Sequence, residues 1–520
     1  MEVISLQCGF YANHVGAHSW NLQESLFEYK PLHRSKSEIA FNHDIFFRVG
    51  KTLGGEETYL PRLVLFDDHS NFNFKSNLYN DCEPDYILPW KGELVTVKQE
   101  HASHSNEFVQ DLSKEADHSV SENGDDARDM KMEDDGIESD PRSKVYDLTN
   151  SCQSWCDYSR VFLHPRSLIL TSGLDSCTMF KSQFSQKHSS EFEDRLCYFA
   201  EECDHLQGFN LSSSMYETSS VNCSIGLLDM LADDYRKKAI LAVPLFEPKS
   251  ILKPLDHLNS LWMTSSLCLL DMLADDYRKK AILAVPLFEP KSILKPLDHL
   301  NSLWMTSSLC ESPTDCFSVP VTCPLQVKGF DFDVSSPYLT SAIIALALNT
   351  LTTPLRTKEN QLSLHSYGDL LTLGSRKFST LSMTRDSQKY NDSMFTSLAP
   401  FTLYDTKITA SQLLVARGFD IQQNPNSLET HLQFSYNSPL KLESPFPHIE
   451  ECNKAKLTGR RMLPCGIVLQ NSVNIVAMLN TVVDNCQKLK RSFLNRVEGY
   501  DKDSFNEMCE IVLTHADNYC

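Results

Sequence analysis

The sequence predicts an α/β fold with a parallel sheet, and three observations support this prediction. Residues 3–8 show the two-residue alternation that is typical of a strand. Residues 59–68, YLPRLVLFDD, form an apolar run that ends in two carboxylates, as expected of a buried parallel strand that carries acids to its C-terminal edge. Helical spacings recur between such strands, and alternating strands and helices indicate the α/β class.

Two segments in the middle of the chain have the spacing of helices. Apolar residues in 192–206 recur four and three positions apart, which predicts an amphipathic helix that ends before Gly208. Further on, Ser336 is a predicted N-cap and Pro337 a predicted first-turn residue, and the unbroken apolar stretch 342–348 follows. We therefore expect a buried central helix there.

The C-terminal residues, 471–520, are also predicted to be helical. Residues 475–493 keep the same spacing of four and three. Ser504 and Glu507 have the spacing of a capping box, so a final helix is expected to open there.

Composition limits the class of partner. The chain has 520 residues, with Lys+Arg 48 against Asp+Glu 68 and a net charge of -20. This balance argues against nucleic-acid binding or anionic-membrane binding driven by global charge. The 17 cysteines include no CxxC pair, and the closest spacing, Cys152 to Cys156, is a poor metal or redox signature. We interpret them as reduced thiols in a cytosolic compartment and expect no metal site.

The chain shows no pattern of a targeting or membrane-spanning segment. The N-terminus lacks the patterns of a secretory or a mitochondrial import signal. The most apolar stretch, which starts at Ile467, is interrupted by Gln470, Asn471 and further polar residues that would be costly in hydrocarbon. We expect a cytoplasmic protein whose membrane association is peripheral.

An acidic stretch interrupts the predicted domain. From Asp111 to Asp140, twelve residues are acidic and three are basic, a net charge of -9, and large apolar side chains are almost absent. Such a segment cannot offset its ordering entropy by burial, so we predict a disordered insert over 101–144. A solubilising loop and an acidic docking site both remain open for it.

A perfect duplication follows. The 42 residues LLDMLADDYRKKAILAVPLFEPKSILKPLDHLNSLWMTSSLC occupy 227–268 and recur letter for letter at 269–310. Repeat architectures need units that differ at the ends and usually three or more copies, so this is not a solenoid. We expect the domain to require one copy, whether the duplication is biological or a gene-model artefact.

The N-terminal stretch EVISLQCGFYANHVGAHSW resembles the first strand, phosphate loop and first helix of tubulin, with the helix expected to open at about Asn13. The resemblance continues in the same order through YLPRLVLFDD, ECDHLQGF and LLDMLADDYRKK. Within the tubulin superfamily the chain resembles the misato family most, because GKTLGGEETYLPRLVLFD, VFLHPRSL, EDRLCYFAEECDHLQGF and ESPFPHI look like signatures of that family.

The resemblance implies a tubulin-like organisation of the whole chain. We predict a parallel-sheet, nucleotide-binding-type N-terminal domain, a second α/β domain and C-terminal helices. The predicted boundaries are 1–100 and 145–356 for the two parts of the first domain, 357–470 for the second and 471–520 for the helices.

The resemblance also implies a degenerate nucleotide pocket. Its candidate residues are Gly9, Phe10, Tyr11, Asn13, Asp67 and Asp68.

Several positions in and around this pocket depart from the tubulin pattern. Aromatic residues follow Gly9 where tubulins supply small polar contacts. The stretch MYETSSVNCSIG replaces the glycine-rich run of tubulins, and its Glu217 carboxylate would oppose a triphosphate. His69 stands where a magnesium-region acid is expected, and the hydrolysis loop of tubulins has no match. We therefore expect no catalysis and no cofactor, with residual GTP or GDP binding without turnover as the alternative.

Three hypotheses of function follow from the resemblance. The misato family implies a non-enzymatic role in mitochondrial distribution, morphology and fusion, located in the cytoplasm and at the mitochondrial outer membrane, with protein partners at that surface. The family is also linked to spindle microtubules, so the second hypothesis is a factor that acts on tubulin assembly or folding, with tubulin or its chaperones as partners. The third is a GTPase.

Overall fold

The structure is a computed structural model. It describes residues 2–27, 40–51, 57–71, 106–112, 144–171, 186–247, 291–312, 316–372, 376–385, 395–400, 402, 409–419, 431–449, 460–489, 491–495, 497 and 501–519.

Strands occur along the whole chain. They are β1 (Glu2–Cys8), β2 (Phe47–Lys51), β3 (Glu57–Pro61), β4 (Leu63–Asp68), β5 (Leu168–Thr171), β6 (Leu206–Ser214), β7 (Ala239–Phe246), β8 (Cys316–Ser318), β9 (Val321–Thr322), β10 (Thr380–Thr384), β11 (Thr396–Ser397), β12 (Thr409–Arg417), β13 (His431–Tyr436), β14 (Leu440–Glu443), β15 (Arg460–Leu463) and β16 (Cys465–Ser472).

Helices alternate with these strands. They are α1 (Phe10–Glu24), α2 (Gln186–Glu201), α3 (Thr218–Asp234), α4 (Lys291–Glu311), α5 (Pro337–Leu351), α6 (Thr353–Arg356), α7 (Leu364–Leu371), α8 (Asn474–Gln487), α9 (Arg491–Leu494) and α10 (Lys502–Asp517). Across the described ranges, no helix combines the length and the apolarity that a membrane crossing requires.

A seven-stranded parallel sheet forms the first half of the fold, which confirms the predicted α/β class. Its order is β5-β4-β1-β6-β7-β8, and β9 also pairs with β7. Since all these strands run in one direction, the segments that follow β1, β4, β6 and β7 meet at one edge of the sheet. The candidate site lies at this edge.

The two faces of this sheet contribute to different parts of the core. In β1, Ile4 and Leu6 belong to a cluster with α2, α3, α4, α8 and α10. Val3 faces the opposite cluster, which contains α1, α5 and α7. This division follows from the two-residue period of a strand, so helices cover the sheet on both sides.

Two boundaries near the N-terminus differ from the sequence prediction. The run 59–68 is divided at Arg62: β3 pairs antiparallel with β2, and β4 enters the parallel sheet. Pro61 cannot donate a ladder hydrogen bond, and the buried Arg62 guanidinium donates to the carbonyls of Asp44 and Phe47 instead. Helix α1 opens at Phe10 rather than at about Asn13, because Gly9 already serves as the N-cap.

The predicted central helix is confirmed as α5. Pro337 opens its first turn, and Ser336 is the N-cap residue, although its side chain makes no capping hydrogen bond. Ala342 to Ala347 are fully buried. Helix α5 packs against α1 on one side and against β12 and β16 on the other, so it joins the two halves of the fold.

A second sheet lies within the later part of the chain. Its order is β11-β10-β16-β12-β13, with antiparallel pairs around β16 and a parallel β12–β13 pair. The strand hairpin β14–β15 pairs separately. The apolar stretch from Ile467 divides between β16 and α8.

The C-terminal helices pack on α4 and differ from their predicted boundaries. Helix α8 ends at Gln487, before the end of the predicted spacing. The capping box at Ser504 and Glu507 is wrong, because Asp501 is the N-cap and its carboxylate accepts from the Ser504 amide at 3.0 Å and hydroxyl at 2.9 Å.

The described repeat residues come from both copies. The end of α3 and all of β7 belong to the first copy, and α4 up to Cys310 belongs to the second. Together, residues 227–247 and 291–310 correspond to all but one position of a single repeat unit. Residues 248–290 lie outside the described ranges.

Part of the predicted acidic insert is folded. Residues 107–112 are helical, with Phe108 and Val109 buried. The Phe108 ring contacts Tyr146 at 5.4 Å, and the Lys144 ammonium lies 2.6 Å from the Asp111 carboxylate. The prediction of disorder is therefore wrong for this short segment, because its two adjacent apolar residues reach the core. Residues 101–105 and 113–143 lie outside the described residues.

Candidate functional site

Gly9 forms the turn between β1 and α1. Its φ of +94° is a conformation that favours glycine, and its amide donates to the Phe66 carbonyl at 3.0 Å. A Cβ at this position would lie 1.9 Å from Ser220 Oγ and 2.3 Å from Glu217 Oε2. The space beside Gly9 is thus already filled by side chains from the start of α3.

The Glu217 carboxylate lies at the N-terminus of α1. Its Oε2 accepts from the Phe10 amide at 3.0 Å and from the Ser220 hydroxyl at 2.6 Å. Two residues further along α1, the Ala12 amide donates to Ser214 Oγ at 3.0 Å. The last residue of β6 and the segment after it therefore supply acceptors for amides of α1 that an anion would otherwise bind.

The environment of Glu217 disfavours further negative charge. Burial, and then the charges of Asp67 and Asp68, raise the pKa of Glu217 to about 7. Glu247 follows β7, and burial together with the charges of Glu217 and Asp298 raises its pKa well above the ordinary value. Burial also raises the pKa of Asp298 to about 7. A triphosphate at this edge would find the space beside Gly9 already occupied by side chains and surrounded by acidic groups. The described residues in this arrangement therefore do not fit a triphosphate.

Asp67 is held in place by four donors. Its carboxylate accepts from Asn13 Nδ2 and Trp155 Nε1, both at 2.8 Å, from Asn71 Nδ2 at 2.9 Å and from the Asp68 amide at 2.8 Å. Burial raises its pKa, and the side-chain hydrogen bonds oppose that rise. This carboxylate anchors β4, α1 and the segment around Trp155 to one another.

Four of the six candidate residues meet at one place, namely Gly9, Phe10, Asn13 and Asp67. The Phe10 ring packs edge-on against His14 at 4.4 Å. Tyr11 points away into the core, where burial raises its pKa well above the ordinary value. Asp68 is half-buried at the end of β4.

Sequence reasoning missed several residues of the site. Ser214, Glu247, Asp298 and Trp155 were not among the candidates. Glu247 had a usable signal, because an acid directly after a buried strand reaches the same sheet edge as Asp67. Trp155 had none, since its contact with Asp67 spans 88 positions.

Behind the site, α1 is held by a buried aromatic and histidine cluster. His14 Nδ1 lies 2.6 Å from the Tyr158 hydroxyl, and His18 Nε2 donates to the Tyr338 carbonyl at 2.9 Å. The His18 and Tyr158 rings stack at 4.5 Å. Burial lowers the pKa of both histidines to about 3, so they are neutral.

No group of three or more metal-ligating side chains with suitable geometry occurs in the part of the chain that the structure describes.

Comparison with known proteins agrees with this architecture. Residues 1–114 match the family model described as the Misato Segment II tubulin-like domain, and residues 146–323 match the Tubulin domain model. The first match extends past residue 100 and includes the folded segment 107–112.

Relatives with misato names match much of the chain. Protein misato homolog 1 of Mus musculus is 29% identical over 394 residues, which is 73% of this chain and 63% of the relative. The Bos taurus protein of the same name is 28% identical over 416 residues, 74% of this chain and 64% of the relative. Protein DML1 of Gibberella zeae is 29% identical over 287 residues, 51% of each.

The matches to the mouse and cattle relatives thus span less than two thirds of those proteins. The two matched family models together cover the part of the chain that contains the strands of the parallel sheet. The mouse and cattle relatives bear the same family name as the first of these models. The chain is therefore similar to the misato family of tubulin-like proteins over most of its length.

Proposed function

We propose that this chain is a non-enzymatic tubulin-like protein that regulates mitochondrial distribution, morphology and fusion. In this proposal it acts from the cytoplasm through protein partners at the mitochondrial outer membrane, with which it associates peripherally. Similarity to the misato family supports the mitochondrial part, through the role that the resemblance to that family implies.

One observation carries the non-enzymatic part of the proposal. The Glu217 carboxylate accepts from the Phe10 amide at the helix N-terminus where a tubulin-like site would hold phosphate. A nucleotide would have to displace this side chain and tolerate Glu247 and Asp298 nearby. Loss of these protein hydrogen bonds opposes that exchange, and each carboxyl group that is ionised would repel the phosphates.

A nucleotide assay tests this part. Purified full-length chain is incubated with GTP and Mg²⁺, and both bound nucleotide and released phosphate are measured. We expect no turnover above the buffer background. Hydrolysis that disappears in Asp67→Ala would overturn the proposal, and bound GTP without turnover would support the alternative of residual nucleotide binding.

Fractionation tests the location. We expect the protein in the mitochondrial pellet as well as in the cytosol, and we expect alkaline carbonate to release the pelleted fraction, because a peripheral protein is held by contacts that carbonate disrupts. Resistance to carbonate would require an anchor, and absence from mitochondria would contradict the proposed site of action.

A factor that acts on tubulin is the second candidate. The observation in its favour is the match of residues 146–323 to the Tubulin domain model, since a tubulin-like surface can contact the partners of tubulin. Co-sedimentation with microtubules, measured beside mitochondrial fractionation of the same cells, separates the two candidates.

A further inference from the structure

Two buried thiols meet beside the candidate site. Cys8 ends β1 and Cys223 lies in the second turn of α3, and their sulfur atoms are 3.4 Å apart. Both side chains are buried, and both are free cysteines. The two residues are 215 positions apart in the sequence, so only the fold brings them together.

Hydrogen bonds hold the residues next to both thiols in the folded protein. Cys8 directly precedes Gly9, whose position is fixed by the Phe66 carbonyl. Cys223 lies one turn after Ser220, which donates to Glu217. The thiols are therefore held near each other by the same strand and helix that bring Glu217 to α1.

We propose that Cys8 and Cys223 form a redox modification site, at which a hydroperoxide converts the two thiols to an intramolecular disulfide. One sulfur, as its thiolate, attacks one oxygen of the hydroperoxide and becomes a sulfenic acid. The O–O bond breaks, and the other oxygen takes up a proton and leaves as water or an alcohol. The second thiolate attacks that sulfur, the S–S bond forms, and the sulfenic oxygen leaves as water. In total, the two thiols lose two electrons, and one hydroperoxide molecule accepts them.

The geometry asks for a small movement. A disulfide has a sulfur–sulfur distance of about 2.05 Å, so the two atoms must approach by about 1.3 Å. Burial raises the pKa of the Cys223 thiol well above its ordinary value, with the nearby Cys8 as a further cause. The thiolate is scarce at neutral pH, so oxidation is slow and accelerates as the pH rises. The peroxide reaches the pair when the start of α3 opens locally.

Mapping of the oxidised protein tests the proposal. Purified full-length chain is treated with hydrogen peroxide and quenched with an alkylating reagent under denaturing conditions. It is then digested and analysed by mass spectrometry. We expect a peptide pair joined through Cys8 and Cys223, with a mass about 2 Da below the sum of the two thiol peptides and separation by a reducing agent. On a non-reducing gel the oxidised chain should migrate faster, because the link closes a long loop.

Matched variants identify the sulfurs. Cys8→Ser and Cys223→Ser should each abolish the faster band, and Cys197→Ser, which changes an exposed cysteine, should keep it. The peptide mapping uses the wild-type sequence, so it tests the proposal even where a variant at one of the two buried cysteines fails to fold. Alkylation of Cys8 and Cys223 as free thiols in protein whose Cys197 is oxidised would overturn the proposal, as would a disulfide from either residue to another cysteine.

Discussion

At the scale of single residues, the site is defined by which groups satisfy the first amides of α1. Ser214 does so from the end of β6 and Glu217 from the segment after it, and Asp67 binds both Asn13 and Trp155. The Glu217 bond is half-buried and the other three join buried groups, and each loss leaves a donor without its acceptor. Substitutions at these positions therefore report directly on the structure of the site.

Two substitutions of Glu217 should have different effects. Glu217→Ala removes the acceptor of the Phe10 amide and should lower the free energy of unfolding by about 1–3 kcal/mol. Glu217→Gln keeps an oxygen acceptor and removes the charge, so its loss should be smaller. Urea unfolding of the three proteins at one pH measures both effects, and equal losses for Ala and Gln would show that the hydrogen bond does not matter.

We also expect the difference in stability between wild type and these variants to depend on pH. The pKa of Glu217 in the fold, about 7, lies above the ordinary glutamate value of 4.5, so the folded state binds the proton more tightly. The stability that this proton contributes is present below pH 4.5 and is lost as the pH rises through 7. Relative to wild type, Glu217→Gln should thus be more stable at pH 8 than at pH 5. An unchanged difference between the two pH values would contradict the raised pKa.

The buried histidines should make the free energy of unfolding change with pH in the opposite direction. Their pKa of about 3 in the fold lies below the ordinary value of 6.5, so the unfolded chain binds protons more tightly and stability falls as the pH drops below 6.5. At pH 5 each histidine should cost about 2 kcal/mol relative to pH 8. His14→Asn and His18→Gln keep a polar group without this titration and should each reduce the loss by that amount. His365→Gln, at an exposed position, is the control for the substitution of a histidine outside the core.

At the scale of elements, the conformation and the ends of short segments depend on the groups that their residues contact. Residues 107–112 lie beside a strongly acidic stretch, yet they are helical because Phe108 and Val109 reach the core. Helix α10 begins after Asp501 rather than at the predicted capping box, because the Asp501 carboxylate binds the Ser504 amide. Local spacing predicts that an element exists better than it predicts its ends.

The helical segment 107–112 should matter for stability. Phe108→Ala removes a ring that is 5% exposed and packs on Tyr146, so we expect a loss of about 3 kcal/mol in the free energy of unfolding. Phe162→Ala changes a ring that is 50% exposed and should cost less than about 1 kcal/mol. Chemical unfolding of both variants decides the matter, and equal losses would mean that residues 107–112 do not contribute to the core.

At the scale of the whole molecule, the parallel sheet accommodates one repeat unit. Strand β7, from the first copy, lies between β6 and β8, and helix α4, from the second copy, covers one face. Because the two copies are identical, removal of 269–310 and removal of 248–289 give the same amino-acid sequence. The shortened chain therefore keeps every described residue of β7 and α4.

We expect the chain without 269–310 to be at least as stable as the full chain. Thermal unfolding of the two proteins side by side is the measurement. A deletion that lowers Tm by more than about 5 °C would show that both copies are integral to the fold. Removal of 227–310 is the control, since it also takes away β7 and α4 and should abolish the cooperative transition.

Much of the fold was determined by the sequence alone. The two-residue period of β1, the spacing within α2 and the apolar run of α5 are local patterns, and each predicted its element because burial of one face depends on nearby residues. The predicted end of α2 was wrong, because the helix ends at Glu201 and Leu206 already begins β6. Gly9 was identified as a candidate through the resemblance of residues 2–20 to the phosphate loop of tubulin. The departure of the Glu217 segment from a glycine-rich run was also visible in the sequence.

The tertiary structure alone decided how distant segments combine. The contact between Glu217 and the Phe10 amide spans 207 positions, and that between Cys8 and Cys223 spans 215. Two identical copies cannot be distinguished by any local pattern, so only packing selects β7 from one and α4 from the other. Such choices depend on which surfaces meet in the sheet and between the helices, and no residue carries that information within its own segment.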